Sequence, residues 1–213
     1  MKFETLRTNR FNQWIIIHLR YLVGFAFLPS GMVKLMGERF TQISTDDPIG
    51  YFFEALYQSG FYWNFLGLAQ VAAGILLMTQ RFAMPGALMF LAILSNIWII
   101  TISLSFTGTW MITSLMMVAV LVLIVWDKHK LMPLFSYNQP SSVKAFPDPD
   151  RSWIIAGMIY VFSFVILYLL GPVGENIYIK WISAALGVLM AGTFVITGYK
   201  AYKNPDLLLK KQV

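Results

Sequence analysis

The chain has 213 residues, of which 58% are hydrophobic and 12% charged, with a net charge of +6. Soluble domains are roughly a quarter charged, so this composition excludes a soluble globular protein. The absence of cysteine excludes disulfides, thiol redox chemistry, thiolate zinc sites and cysteine-held iron–sulfur clusters.

The first apolar segment, Trp14–Met36, is the one the others are expected to pack around. It is too long for a signal peptide, contains Lys34 and lacks a small-residue cleavage site, so it reads as a retained span. Helical spacing puts Arg20, Gly24, Phe27, Gly31, Lys34 and Glu38 on one stripe, with small residues in the middle and charge at both ends. Charged residues within a span face protein or water, so this stripe is read as the inner face of a helical bundle. Lys34 and Glu38, at i and i+4, are expected to pair. They read either as a polar mouth for a headgroup or quinone oxygen, or as a lysine reaching to the interface. Arg20 carries the same two readings, inward or reaching to phosphates. His18 lies opposite the stripe.

Glu38–Gly60 connects the first two spans. Within it, Asp46, Asp47 and Pro48 form a helix start, an acidic cap followed by Pro in the first turn. The aromatic YFFEALY that follows reads as an interfacial helix lying flat, or as a cover over the bundle mouth.

Three spans come next in close succession: Phe61–Gln80, Phe82–Phe106 and Thr109–Trp126. Their short connections predict antiparallel neighbours. Gln70 and Asn96 are the mid-span polar residues, read either as interhelical hydrogen-bonding groups or as ligand contacts. Asp127–Ser152, rich in proline, reads as a loop, with His129 in its first turn. The last two spans are Trp153–Gly171 and Tyr178–Tyr199. Ser183, Gly187 and Ala191 form a small-residue packing face, within the chain or between copies in a homo-oligomer. The basic tail from Lys200 rests against anionic headgroups.

Lys and Arg set the topology. With the N-terminus inside, thirteen of them fall on the cytoplasmic side and three, Lys34, Arg39 and Lys180, outside. Both termini are then cytoplasmic, in agreement with an even number of spans. Basic residues placed at segment ends in this way argue against a nucleic-acid partner. His18 and His129 have no partners at metal spacing, so no metal site is expected. There is also no Walker loop, dinucleotide fingerprint, HExxH or nucleophile elbow.

The pattern Arg20, Gly24, Phe27, Leu28, Ser30, Gly31, Lys34, followed by GLAQVAAGILLMTQRFAMPGA over Gly67–Ala87, resembles the DoxX-like membrane proteins of bacteria. The resemblance covers about residues 14–126. It maps the family's second-span pattern onto Gly67, Gln70, Gly74, Leu76 or Leu77, and Arg81, with Gln70 where glutamate is common. It implies a four-helix DoxX-like core (1–126) within an all-α polytopic bundle; the cytoplasmic linker (127–152) and the two-span addition (153–213) come from the span pattern, and the resemblance does not explain them. It also implies the bacterial cytoplasmic membrane as location, and a quinone- or lipid-binding subunit of an oxidoreductase system. Such a subunit has no cofactor of its own beyond a quinone and draws electrons from a redox partner. The ligand-binding candidates are Arg20, Ser30, Lys34, Glu38, Gln70 and Asn96. The reading set against this one is a non-catalytic carrier or an assembly and interaction factor, which needs only the bundle.

Overall fold

The computed structural model describes residues 6–7, 9–135, 151–170 and 176–203. Eight helices are delimited among the described residues: α1 (Arg10–Leu35), α2 (Pro48–Gln58), α3 (Phe61–Met78), α4 (Ala83–Ser103), α5 (Thr109–Trp126), α6 (Lys128–Phe135), α7 (Arg151–Leu170) and α8 (Ile177–Lys203). No strand occurs among the described residues. Six helices (α1, α3, α4, α5, α7 and α8) are long and apolar enough to cross a membrane. The shortest has 18 residues, or about 27 Å at 1.5 Å per residue, close to a ~30 Å hydrocarbon core. The protein is therefore an all-α, multi-pass membrane protein, as the six apolar segments predicted. Large apolar side chains such as Leu115, Val118, Phe162, Val188 and Val195 stand on the outside of their helices, as lipid-facing residues do.

The chain divides into two compact units. One comprises Leu19–Met78 and Phe82–Ser142; the other comprises Met1–His18, Thr79–Arg81 and Val143–Val213. In the first unit α3 packs on α4, and α4 on α5. Thr101 meets Thr113 (Oγ1–Oγ1 3.0 Å) while Trp98 Nε1 donates to Ser114 Oγ at 2.8 Å. Numbering thus rises on one helix as it falls on the other, and the pair is antiparallel, as the short connections predicted. In the second unit α7 packs on α8. There Trp14, His18, Trp153 and Phe194 form an aromatic cluster, with His18 Nδ1 at 2.9 Å from the Trp14 carbonyl.

α1 and α3 cross at close range in the first unit. Gly24 meets Gly74 and, two turns on, Gly31 meets Gly67, so these helices are also antiparallel. A Cβ placed on Gly24 would lie 2.7 Å from the Gly74 carbonyl oxygen, and one on Gly31 would lie 3.0 Å from that of Gly67. Backbones this close require glycine, the usual device for helix packing in lipid.

One expectation needs correction. Asp127–Ser152 is not a loop from its start, because α6 begins at Lys128 and Asp127 is buried. The proline-rich stretch 136–150 and the tail 204–213 lie outside the described residues. In the small-residue series of α8, a Cβ on Gly187 would meet nothing within 4 Å, so among the described residues its centre packs on no neighbour and the reading between copies is the one left open.

Candidate functional site

Five of the six stripe residues turn inward. Arg20, Gly24, Phe27, Gly31 and Lys34 are all buried. Glu38 is exposed, and Gly37 is the reason. At φ +74° it takes the left-handed conformation that ends α1. Glu38 N then donates to the Val33 carbonyl and Gly37 N to that of Lys34, both at 3.0 Å. Asn64 Nδ2 donates to the carbonyls of Lys34 (3.2 Å) and Leu35 (2.9 Å), which helps satisfy the last turn. The expected Lys34–Glu38 pair therefore does not form. Glu38 contributes its backbone, whose carbonyl accepts from Trp63 Nε1 at 2.9 Å.

The two charged ends of the stripe separate in role. Arg20 Nη2 donates to Asp127 Oδ2 at 2.6 Å, with 5% and 7% of the two side chains exposed. Asp127 caps the end of α5, so this ion pair ties α1 to α5. Arg20 is thus buried and paired and does not reach for headgroups. Sequence reasoning missed Asp127 because it sits 107 positions away, in what read as the start of a loop.

Lys34 has a different environment. It is 5% exposed, yet among the described residues no carboxylate lies within ion-pair distance of it. Its Nζ donates to the Ser30 carbonyl at 2.9 Å, and lies 4.3 Å from the centroid of the Phe40 ring and 5.2 Å from that of Trp63. Ring faces attract a desolvated cation by about 0.5–2 kcal/mol each. One carbonyl and two rings thus hold an ammonium that has three N–H groups to give.

Lys34 opens onto a cavity of about 580 Å³ within the first unit. α1 supplies Ala26, Phe27, Ser30 and Lys34, and the segment after it supplies Phe40. α2 supplies Phe52, Phe53 and Leu56. α3 supplies Tyr62, Phe65, Leu66, Ala69 and Gln70; α4 supplies Ile93, Asn96, Ile97 and Thr101; and α5 supplies Ile112, Thr113 and Met116. Phe27 stacks on the fully buried Phe90 with centroids 3.6 Å apart, which fixes one wall. Four sequence candidates, Ser30, Lys34, Gln70 and Asn96, are brought together here, while Arg20 and Glu38 are not among the lining residues. Gln70 and Asn96 do not form the expected interhelical bonds. Asn96 Nδ2 donates to the Ala92 carbonyl of its own helix at 2.8 Å, and the buried Gln70 Oε1 has no hydrogen-bond partner.

α2 lines the cavity through Phe52, Phe53 and Leu56, which accords with the reading of it as a cover over the bundle mouth. Asp47 caps it by accepting from Ile49 N, and Pro48 sits in its first turn, as the sequence indicated. A clamp holds it: Arg39 Nε and Nη2 donate to Glu54 Oε2 and Oε1 at 2.9 and 3.0 Å, and the guanidinium lies 4.4 Å from the Tyr57 ring centroid. The Arg39 hydrogen bond, with a second from Gln58, holds the Glu54 carboxyl below the usual range, and Glu54 in turn raises Arg39.

Among the described residues no three His, Asp or Glu side chains are grouped to hold a metal ion. Comparison with protein-family models, curated proteins and solved structures finds no match for this chain.

Proposed function

We propose that this protein is a DoxX-like subunit of the bacterial cytoplasmic membrane that holds a quinone-class molecule for a partner oxidoreductase. The cavity carries the reading: it is apolar and aromatic, sits within the helices that cross the membrane, and has one ammonium and two carboxamides at its wall. Its ~580 Å³ falls in the range of small-molecule sites, which are mostly apolar with a few placed polar groups.

The residues fit such a ligand. Lys34 has N–H groups left to donate to a ring oxygen once Ser30 is served. Phe27, Phe52, Phe53 and Phe65 offer faces and edges for a ring and its apolar tail. A bound quinone supplies two-electron, two-proton redox chemistry that no side chain here provides. The chain's own task is then to bind and orient the ring and to exclude water under α2. Electrons come from the partner, and the tail of the ligand enters from surrounding lipid. Thirteen of the sixteen basic residues lie cytoplasmic when both termini are inside, which sets the orientation proposed. α1 runs unbroken through Pro29, whereas many carriers use discontinuous helices at the midplane.

The test is mass spectrometry of the organic extract from protein purified in mild detergent. A stoichiometric quinone, lost in Lys34→Met, supports the proposal. Bulk phospholipid alone from both proteins overturns it.

A further inference from the structure

The polar groups at the cavity wall do not all ask for the same thing. Lys34 is a donor. Gln70 Oε1 is an acceptor, buried and without a partner, on a side chain only 1% exposed. A buried acceptor left unpaired costs about 1–3 kcal/mol, so a ligand that satisfies it gains over one that does not. Both side chains line the same cavity. The Gln70 Cβ lies 3.1 Å from where a Cβ on Gly31 would be. Gly31 precedes Lys34 by three residues, or about 4.5 Å along the helix axis.

A ring carbonyl has only lone pairs. It can accept from Lys34 and offers nothing to Gln70 Oε1. A hydroxyl does both: its oxygen accepts from the ammonium while its O–H donates to the carboxamide oxygen. Two hydrogen bonds of about 2.8 Å from one oxygen reach side-chain heads up to roughly 5 Å apart. We infer that the cavity recognises a ring hydroxyl, a phenol or the hydroquinone form of its ligand, in preference to the corresponding dione or ether. Resting on the binding role proposed above, this inference assigns Gln70 as the residue that selects the protonated form. The chain would then bind the reduced molecule more tightly and release it once oxidised.

The experiment uses two redox-inert probes that differ only in the donor, 4-nonylphenol and its methyl ether. Binding of each is measured by calorimetry to the full chain in detergent. The phenol is expected to bind about tenfold more tightly than the ether, about 1.4 kcal/mol. In Gln70→Leu the preference should shrink to about twofold or less through weaker phenol binding, with the ether unchanged. Gln70→Met, which also removes the acceptor, serves should the leucine variant not fold. Equal binding of phenol and ether to the wild type, or a preference that persists in both variants, overturns the inference while leaving the cavity a binding site. Failure of both probes to bind the wild type overturns the binding role as well.

Discussion

Gly67→Ala is the sharpest test of how the site is assembled, because an added methyl has nowhere to go. It would meet the backbone nitrogen of Leu35, the Gly31 carbonyl oxygen at 2.6 Å and Lys34 Cβ at 2.8 Å. Carbon contacts are comfortable at about 3.5–4.0 Å, so α1 and α3 must part by roughly 1 Å. The obstructing atoms include backbone, which cannot rotate away. Overpacking of this kind costs about 1–3 kcal/mol. Gly187→Ala in α8 is the internal control, since nothing lies within 4 Å of its added Cβ. Both changes gain about 1 kcal/mol of helix propensity, which cancels in the comparison. Gly67→Ala should therefore be less stable than Gly187→Ala by about 1–3 kcal/mol, near the upper end given the backbone clash. Reversible unfolding in a defined micelle reads this difference. Equal stability of the two variants would refute the close α1–α3 crossing and the placement of Lys34 that depends on it.

Other consequences are separable. Breaking the Arg20–Asp127 pair with Arg20→Met or Asp127→Leu alone should cost about 3–5 kcal/mol, because one charge is left buried. The double variant should recover most of that loss, and additive losses in a thermal-unfolding cycle would contradict a direct pair. Lys34→Met should insert and fold but retain less ligand after purification; Arg20 variants, being outside the cavity, should lose stability and not ligand per folded molecule. Glu54 has a lowered carboxyl pKa in the folded chain. The stability it lends to the α2 clamp is then fully present above its unfolded value of about 4.3. It is lost as pH falls through the lower folded value. Hydrogen exchange of α2 should accelerate over that window in the wild type, and Glu54→Gln should flatten the pH dependence. An identical profile in the two proteins would count against the clamp.

Much of this architecture can be read from residue order alone. The six spans follow from apolar length, and the inner face of α1 from the spacing of Arg20, Gly24, Phe27, Gly31 and Lys34. Asp47 and Pro48 announce α2 through local capping chemistry. The sequence is less informative where a local signal competes with a pattern. Glu38 continues the helical stripe on paper, but Gly37 turns the chain one residue earlier, and a glycine in the left-handed conformation outweighs periodicity. Asp127 looked like the first residue of a loop, and only tertiary packing reveals its guanidinium partner. The role of Phe52, Phe53 and Leu56 as a cover is likewise non-local, since the same aromatic run suits a helix lying at the interface. Gln70 was visible as a mid-span polar residue, but its vacant acceptor could be seen only once its neighbours were in place.

The most direct test of the central claim is to find where a ligand sits. A quinone analogue with a photoreactive azide on its ring, irradiated with the purified chain and mapped by peptide mass spectrometry, should label Phe27–Lys34 of α1 and the stretch around Gln70 of α3. Labelling should be displaced by unmodified quinone and reduced in Lys34→Met. Labelling confined to α7 and α8, or undiminished by competitor, would contradict a ligand cavity walled by α1–α5.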